Sequence, residues 1–196
     1  PEGLADAASQ HYAPDVPLRA VHPWGELTGL ESICAALWHP LRASFTSLTR
    51  REDIFFAGLN EIDGFKGVWV CSMGHLMGLF DAPFLGIAPT RRMAFLRYAS
   101  FHRVSGGRIV EEAFFTDIPH LMVQAGLQPF PPQTGAQLVQ PGPATHDGLL
   151  FAAQPEAEGR ETLRAINAMI ADLGTWNLGL PLEEELRRTW HEDMLW

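Results

Sequence analysis

The sequence predicts an α+β fold in which helices come first and a curved antiparallel sheet follows. An amphipathic segment behind residue 28 carries apolar side chains at helical intervals, and four later segments are rich in aromatic and β-branched residues. Between the last two segments stands Ser105-Gly106-Gly107-Arg108, where two glycines accept the positive φ of a tight hairpin turn.

Helices are expected first. A short one precedes the string HYAPDV at 11–16, and a second begins where Thr28 precedes Glu31 by three residues, the spacing of a capping box. One face of this second helix carries Ile33, Leu37, Leu41, Phe45 and Leu48. Pro40 is expected to bend or break it, because proline lacks the N–H that a helix needs. The strand-like segments that follow are DIFFAG at 53–58, GVWVCSMGHLMGLF at 67–80, RMAFLRYASFHRV at 92–104 and RIVEEAFFTD at 108–117.

Composition excludes several classes of protein. The 196 residues include 14 Lys and Arg against 23 Asp and Glu, a formal net charge of −9. That charge disfavours binding to nucleic acid or to an anionic membrane, since both attract clustered Lys and Arg. No apolar run reaches the roughly 18 residues of a transmembrane helix. Cys34 and Cys71 lack metal-binding spacing and are expected to be reduced, and with no export signal visible we expect a cytoplasmic protein.

Five prolines and two glycines between Pro129 and Pro143 divide the chain. We therefore expect an α+β domain over 1–127, a linker or wrapping arm over 128–158, and a C-terminal helical extension over 159–196.

The C-terminal extension is predicted to hold two helices. The first carries an apolar stripe and stops at Gly174, and Pro181 starts the second. The stripes consist of Leu163, Ile166, Ile170 and Leu173, and of Leu186, Trp190 and Met194. Two interpretations stay open: the helices cover the sheet, or they begin a second copy of the first domain. The second rests on residues 190–194, which repeat the order of 12–16: an aromatic residue, two others, Asp and an apolar residue.

Several strings together resemble the SnoaL-like polyketide cyclases of the nuclear transport factor 2-like superfamily. They are HYAPDV, GELTGLESI, GIAPTRR at 86–92, FHRVSGGRIVEE and TDIPHLMVQAG, and their order and spacing match the family's pattern over roughly residues 8–127. Two positions depart from that pattern. Arg91 stands where a glycine is usual, and Ala113 stands where a tryptophan is usual, so the family's substrates are not carried over.

The resemblance implies a cone-shaped half-barrel, in which helices close the open side of a strongly curved sheet around one apolar cavity. It implies ring closure of a small apolar or aromatic, polyketide-like carbonyl compound by intramolecular aldol condensation or a related reaction, without metal or cofactor. An aspartate at the position of Asp117 then acts as acid and base. A homodimer is also expected.

The hairpin provides a second argument for a site at Asp117. If Ser105 faces Arg108, the residue numbers of any two facing residues in the two hairpin strands add up to 213. A β-bulge would shift this register. One face then carries Leu96, Tyr98, Ser100, His102, Ile109, Glu111, Ala113, Phe115 and Asp117. A carboxylate in an apolar cavity is a competent base, and Tyr98 or His102 would hydrogen-bond the enolate oxygen. Phe115, Trp69, His75, His22 and Trp24 are candidate lining residues.

Alternatives to this site remain. Asp117 can instead cap a turn or helix before Ile118-Pro119. Its spacing to His120 would suit two metal ligands on one helical turn, yet no HExxH or HxH accompanies it, and we expect no metal site. No GxGxxG, P-loop or GxSxG motif is present, so no cofactor is expected. The competing functions are a hydratase, dehydratase or epoxide hydrolase on the same scaffold, and a non-catalytic binding or dimerisation module.

Overall fold

The computed structural model describes residues 3–132, 142–175, 179–191 and 193. They divide into two compact units, unit 1 over 1–151 and unit 2 over 152–196. Among the described helices, none combines the length and the apolar character needed to cross a membrane.

Unit 1 is built on a curved, open sheet of six strands in the order β2-β1-β6-β5-β4-β3. The parallel pair β1–β6 is the exception to an otherwise antiparallel sheet. The strands are β1 (Pro17–Ala20), β2 (Glu26–Thr28), β3 (Phe45–Leu59), β4 (Val68–Phe80), β5 (Met93–Ser105) and β6 (Arg108–Thr116). The predicted α+β class is confirmed, and the four predicted strands are present, with β3 starting well before the segment DIFFAG.

The helical layer of unit 1 comes mainly from the segment before β3. It contains α1 (Leu4–Ser9), α2 (Leu30–Ile33), a π-helical turn (Cys34–Trp38) and α3 (His39–Ser44), and α4 (Ile118–Gln124) follows the sheet. The predicted capping box is wrong, because Gly29 occupies the N-cap with φ 88° and no side chain caps the helix. The expected irregularity before Pro40 takes the form of the π-helical turn.

The predicted second helix also ends earlier than expected. The chain leaves α3 after Ser44 and enters β3 at Phe45, so Leu48 lies in a strand. The core nevertheless forms between these helices and one face of the sheet. Its fully buried members include Val16, Leu18, Ile33, Leu37, Leu41, Phe45, Phe80, Phe84, Leu96, Tyr98, Phe114 and Leu121. We call the sheet face that carries Tyr98 and Phe114 the inner face.

A β-bulge decides which residues of β6 lie on the inner face. Arg103 pairs with Glu111, but Val104 pairs with Ile109, so Val110 is the extra residue. The register predicted from the hairpin turn is therefore wrong beyond this point. Glu112 lies opposite His102, and Phe114, not Phe115, is on the face of Tyr98. Burial agrees: Phe114 is 1% exposed and Phe115 is 49% exposed.

The chain after the proline-rich run returns to the edge of the sheet. The Phe55 N–H donates to the Gly148 carbonyl at 2.8 Å, and the Leu150 N–H donates to the Phe55 carbonyl at 2.7 Å. The Phe151 ring packs on Phe55 with centroids 5.1 Å apart. These contacts cover part of the exposed edge of β3, as a wrapping arm would. Residues 133–141 of the predicted arm lie outside the described residues.

Unit 2 contains α5 (Glu156–Leu173) and α6 (Leu182–Leu186). Gly174 follows α5 as its C-cap, as predicted. Because α6 ends at Leu186, the predicted stripe does not continue through Trp190, and Met194 lies outside the described residues. Arg188 forms an ion pair with Asp172 at 3.0 Å, which joins the end of α5 to the segment after α6. The second repeat stays a prediction.

The bulge makes a testable pair of neighbouring residues. Phe114→Ala should lower the free energy of unfolding by about 3–5 kcal/mol, because it removes a buried ring that packs on Trp38 and Tyr98. Phe115→Ala should cost less than about 1 kcal/mol, since its ring is half exposed. Urea unfolding followed by circular dichroism measures both free energies. A larger loss of stability in Phe115→Ala than in Phe114→Ala would contradict the bulged register and favour the register without a bulge.

Candidate functional site

A cavity of about 580 Å³ lies between the helical layer and the start of β3. Its volume falls within the range of small-molecule sites, and most of its wall is apolar. The lining residues are Leu4, Ala8, Tyr12, Leu30, Ile33, Cys34, Trp38, Arg42, Phe45, Thr46, Ser47, Leu48, Arg50 and Leu76. The π-helical turn contributes Cys34 and Trp38, and such turns often occur at functional sites.

Arg50 brings polar side chains of three strands together beside this cavity. Its Nε donates to the Tyr98 hydroxyl at 2.9 Å, and its Nη2 donates to the hydroxyls of Ser72 and Ser100 at 2.9 and 3.0 Å. The guanidinium also lies over the Tyr98 ring, 4.5 Å from the centroid. Ser72 in turn donates to the Glu52 carboxylate at 2.9 Å. These five residues form the Arg50 cluster, and they hold the guanidinium in one orientation.

Glu112 is a carboxylate inside the core. It is 1% exposed, and its Oε1 lies 3.3 Å from Nε2 of His102. Its Oε2 is also buried, and no described residue donates a hydrogen bond to it. A buried carboxylate oxygen without a partner costs about 1–3 kcal/mol, and it retains the capacity to accept a proton.

Tyr12 connects Glu112 with the cavity. Its side chain lines the cavity, and two backbone hydrogen bonds fix it beside β6: the Ile109 N–H donates to the His11 carbonyl, and the Ala13 N–H donates to the Ile109 carbonyl. Burial, followed by the charge of the Glu112 carboxylate and a side-chain hydrogen bond to it, raises the pKa of Tyr12 far above its usual range, whereas the Arg50 charge opposes that shift. Burial and then Glu112 also raise the pKa of the Cys34 thiol. We call Glu112, His102 and Tyr12 the Glu112 relay.

Comparison with solved structures identifies the fold. IdmH from Streptomyces antibioticus, named provisionally as a polyketide cyclase, matches with a TM-score of 0.52 and 20% identity over 64% of this chain and 88% of that chain. A protein from Jannaschia sp. CCS1, named provisionally as a SnoaL-like polyketide cyclase, matches with a TM-score of 0.51 and 22% identity over 65% of this chain and 82% of that one. This chain has the SnoaL-like fold.

The likeness is one of fold alone. AclR from Streptomyces galilaeus, named provisionally as a hydroxylase, matches equally well, with a TM-score of 0.51 and 18% identity over 63% of this chain and 75% of that chain. No family model matches the sequence, and a search of curated proteins found no match. The structural matches confirm the fold that the sequence strings imply, and the chemistry has to be argued from the site.

Within the SnoaL-like fold, Asp117 occupies the start of a helix. Its Oδ1 accepts a hydrogen bond from the His120 N–H at 2.9 Å, so it is the N-cap of α4. The described lining of the cavity does not include it. Burial lowers the pKa of His120, and the Asp117 charge opposes that shift. The alternative role that the sequence left open for Asp117, a helix cap, is the one its contacts show.

The other predicted site residues separate into two groups. Tyr98 and His102 lie on the inner face as expected, the first in the Arg50 cluster and the second in the Glu112 relay. The candidate lining residues His22, Trp24, Trp69, His75 and Phe115 are all absent from the described lining of the cavity.

Strand alternation explains much of that separation. Ser72 and Leu76 lie on the inner face of β4, so Trp69 and His75 lie on the other face, where His75 Nδ1 is 3.0 Å from Asp53. Trp24 is in the core and donates to the Ala36 carbonyl at 3.0 Å, and His22 is exposed in a loop.

The two departures from the family pattern have structural explanations. Arg91 has φ 55°, in the left-handed region that glycine adopts without strain, which accounts for the usual glycine. Ala113 pairs with Phe101 and Arg19 on the face opposite the cavity, so the missing tryptophan does not change the cavity wall.

The sequence interpretation missed Arg50, Tyr12 and Glu112. Arg50 precedes the predicted strand segment DIFFAG, and the register predicted without a bulge placed Glu111, not Glu112, on the face of Tyr98. In the structure Glu111 lies on the other face, where it contacts Arg103 at 3.0 Å and Arg19 at 2.7 Å. Tyr12 lies in the string HYAPDV, and this string was the signal available for it.

Removing the cap at Asp117 should cost stability. Asp117→Ala should lower the free energy of unfolding by about 0.5–2 kcal/mol, because the His120 N–H loses its acceptor. Asp117→Asn is the matched control and should cost much less, since asparagine is an equally good N-cap. Urea unfolding at pH 7 distinguishes them. An alanine variant as stable as the wild type would contradict the capping role.

Tyr12 should make stability depend on pH in the alkaline range. Its folded pKa is raised, so its stabilising contribution is complete below the unfolded value of about 10 and is lost as the pH rises further. Between pH 10 and 11 the free energy of unfolding should fall by about 1 kcal/mol more in the wild type than in Tyr12→Phe, and above pH 11 the difference should approach about 1.4 kcal/mol per pH unit. If the free energy of unfolding depends on pH in the same way in the two proteins, the pKa of Tyr12 is not raised by folding.

Proposed function

We propose that unit 1 binds a small apolar or aromatic carbonyl compound in the cavity and catalyses cofactor-independent proton transfer on it. Ring closure by intramolecular aldol condensation is the reaction that the likeness to proteins named as polyketide cyclases favours. The observation that carries the proposal is Glu112, a buried carboxylate with an unpartnered oxygen, beside a tyrosine that lines the cavity.

Tyr12 provides the path for the proton. The described lining contains no carboxylate, so a base has to act through a residue that faces both the ligand and the core. In the first step the proton of a C–H bond between two carbonyl groups passes to the Tyr12 oxygen, while the Tyr12 proton passes to Glu112. The raised pKa of Tyr12 keeps its hydroxyl protonated in the resting protein. Because the two proton transfers are coupled, no free phenolate forms during the step.

The Arg50 cluster stabilises the charge that this step creates. The enolate oxygen accepts a hydrogen bond from the guanidinium, which Tyr98, Ser72 and Ser100 already hold in place. Preorganised donors of this kind typically contribute about 10²–10³-fold to the rate. The enolate carbon then attacks a second carbonyl carbon of the same molecule, a C–C bond forms, and the new alkoxide takes the proton back from Glu112 through Tyr12.

Glu112 therefore takes the acid–base role that the family resemblance implies for Asp117. The bulge at Val110 places Glu112 on the face of Tyr98 and His102, whereas the Asp117 carboxylate is occupied in the helix cap. A hydratase, a dehydratase or an epoxide hydrolase would need the same proton relay, so the proposal commits to proton transfer first and to aldol ring closure as its outcome.

Two isosteric variants test this assignment. In Glu112→Gln the exchange of the central C–H protons of 1-(2-naphthyl)butane-1,3-dione with D₂O, followed by NMR, should slow by about 10²–10⁴-fold. Binding of the dione, measured by calorimetry, should stay within about threefold, since neither oxygen of Glu112 lines the cavity. Asp117→Asn should leave both quantities within about threefold of the wild type.

Two results would overturn the proposal. Loss of exchange in Asp117→Asn, with Glu112→Gln unaffected, would return the acid–base role to Asp117. Wild-type protein that binds the dione but exchanges its protons no faster than buffer would be a binding module without catalysis.

A further inference from the structure

The charged residues of the cavity lining all have the same sign. The described lining contains Arg42 and Arg50 and no Asp or Glu. The chain as a whole has the opposite balance, with 23 acidic residues against 14 Lys and Arg. A cleft lined by one sign of charge with apolar walls concentrates ligands of the other sign.

The two arginines are not equivalent. Arg50 lies 3.6 Å from the Glu52 carboxylate, on the side of its Nε, so part of its charge is already balanced. Arg42 is exposed on α3, and no described residue forms an ion pair with it. Arg50 is therefore suited to a polar but uncharged oxygen that becomes anionic during a reaction, whereas Arg42 is suited to a permanent anion.

Arg50 also has donor capacity left for a ligand. Its described hydrogen bonds use Nε and Nη2, and no described residue accepts from Nη1. Between the two guanidinium groups the wall is apolar, with Leu30, Ile33, Trp38, Leu48 and Leu76 in the lining. A ligand that fits this wall has an apolar body with one oxygen at Arg50 and a charged group near Arg42.

We propose that the substrate is an organic acid: an aromatic or polycyclic carbonyl compound whose carboxylate binds Arg42 while its reacting carbonyl oxygen binds Arg50. This deepens the proposed function, because it names the substrate class of the same cavity. A guanidinium matches the geometry of a carboxylate and stays charged at any working pH. The carboxylate is not consumed, so Arg42 is a binding residue and not part of the proton relay.

The test compares an acid with its neutral ester. The probes are 4-(2-naphthyl)-2,4-dioxobutanoate and its methyl ester, and calorimetry at pH 7.5 gives the dissociation constant of each. Wild-type protein should bind the acid at least tenfold more tightly than the ester. In Arg42→Met that ratio should fall below threefold through loss of acid binding alone, and Arg42→Lys should retain most of the ratio.

Two further variants serve as controls. Arg108→Met removes another exposed charge at the start of β6, outside the described lining, and should leave the ratio unchanged. Arg50→Met should weaken binding of the acid and of the ester by similar factors, because the proposed partner of Arg50 is the carbonyl oxygen that both probes share. Circular dichroism and urea unfolding confirm that each variant folds.

Three results would overturn the inference. They are equal binding of acid and ester by the wild type, binding of neither probe, and an Arg108→Met effect as large as that of Arg42→Met. Failure of the proposed function is distinguishable from these, since it would abolish the difference in proton exchange between wild type and Glu112→Gln and leave the preference for the acid intact.

Discussion

The β-bulge at Val110 determines the character of the site. One extra residue in β6 reverses which side chains beyond it face the helices, so Glu112 and Phe114 enter the core and Glu111 and Phe115 face outward. Phe114 then packs between Trp38 and Tyr98 and supports the cavity wall, while Glu112 meets His102. Without the bulge the same sequence would bury Phe115 and expose the carboxylate that the proposed chemistry uses.

The site combines two arrangements of polar groups with different costs. In the Arg50 cluster the side chains form hydrogen bonds with one another, and both Nε and Nη2 of Arg50 have acceptors. The cluster therefore restricts the guanidinium without leaving either of these donors unpaired. In the Glu112 relay an oxygen of the carboxylate has no described partner. In the proposed mechanism this carboxylate is the base and the Arg50 guanidinium stabilises the enolate, so the two arrangements have complementary roles.

The fold was predictable because its signals are local or nearly so. Helical periodicity, the aromatic strands and the Gly106-Gly107 turn each depend on neighbouring residues, and the family strings added their order along the chain. The capping box at Thr28 failed for a local reason as well, since Gly29 with its positive φ already begins α2. The inner-face positions of β5, including Tyr98 and His102, were correct because the bulge lies in β6 and alternation continues unbroken along β5.

The sequence by itself determined the α+β class, the β5–β6 hairpin and the placement of Tyr98 and His102 on one face of β5, because these follow from patterns that a few adjacent residues carry. Only the tertiary structure decided that Asp117 caps α4, that Glu112 is buried and that Arg50 joins Tyr98. The physical reason is that a bulge changes register without a distinctive residue pattern, and that the pairing of β3 with β4 and β5 unites side chains about 50 residues apart in the chain.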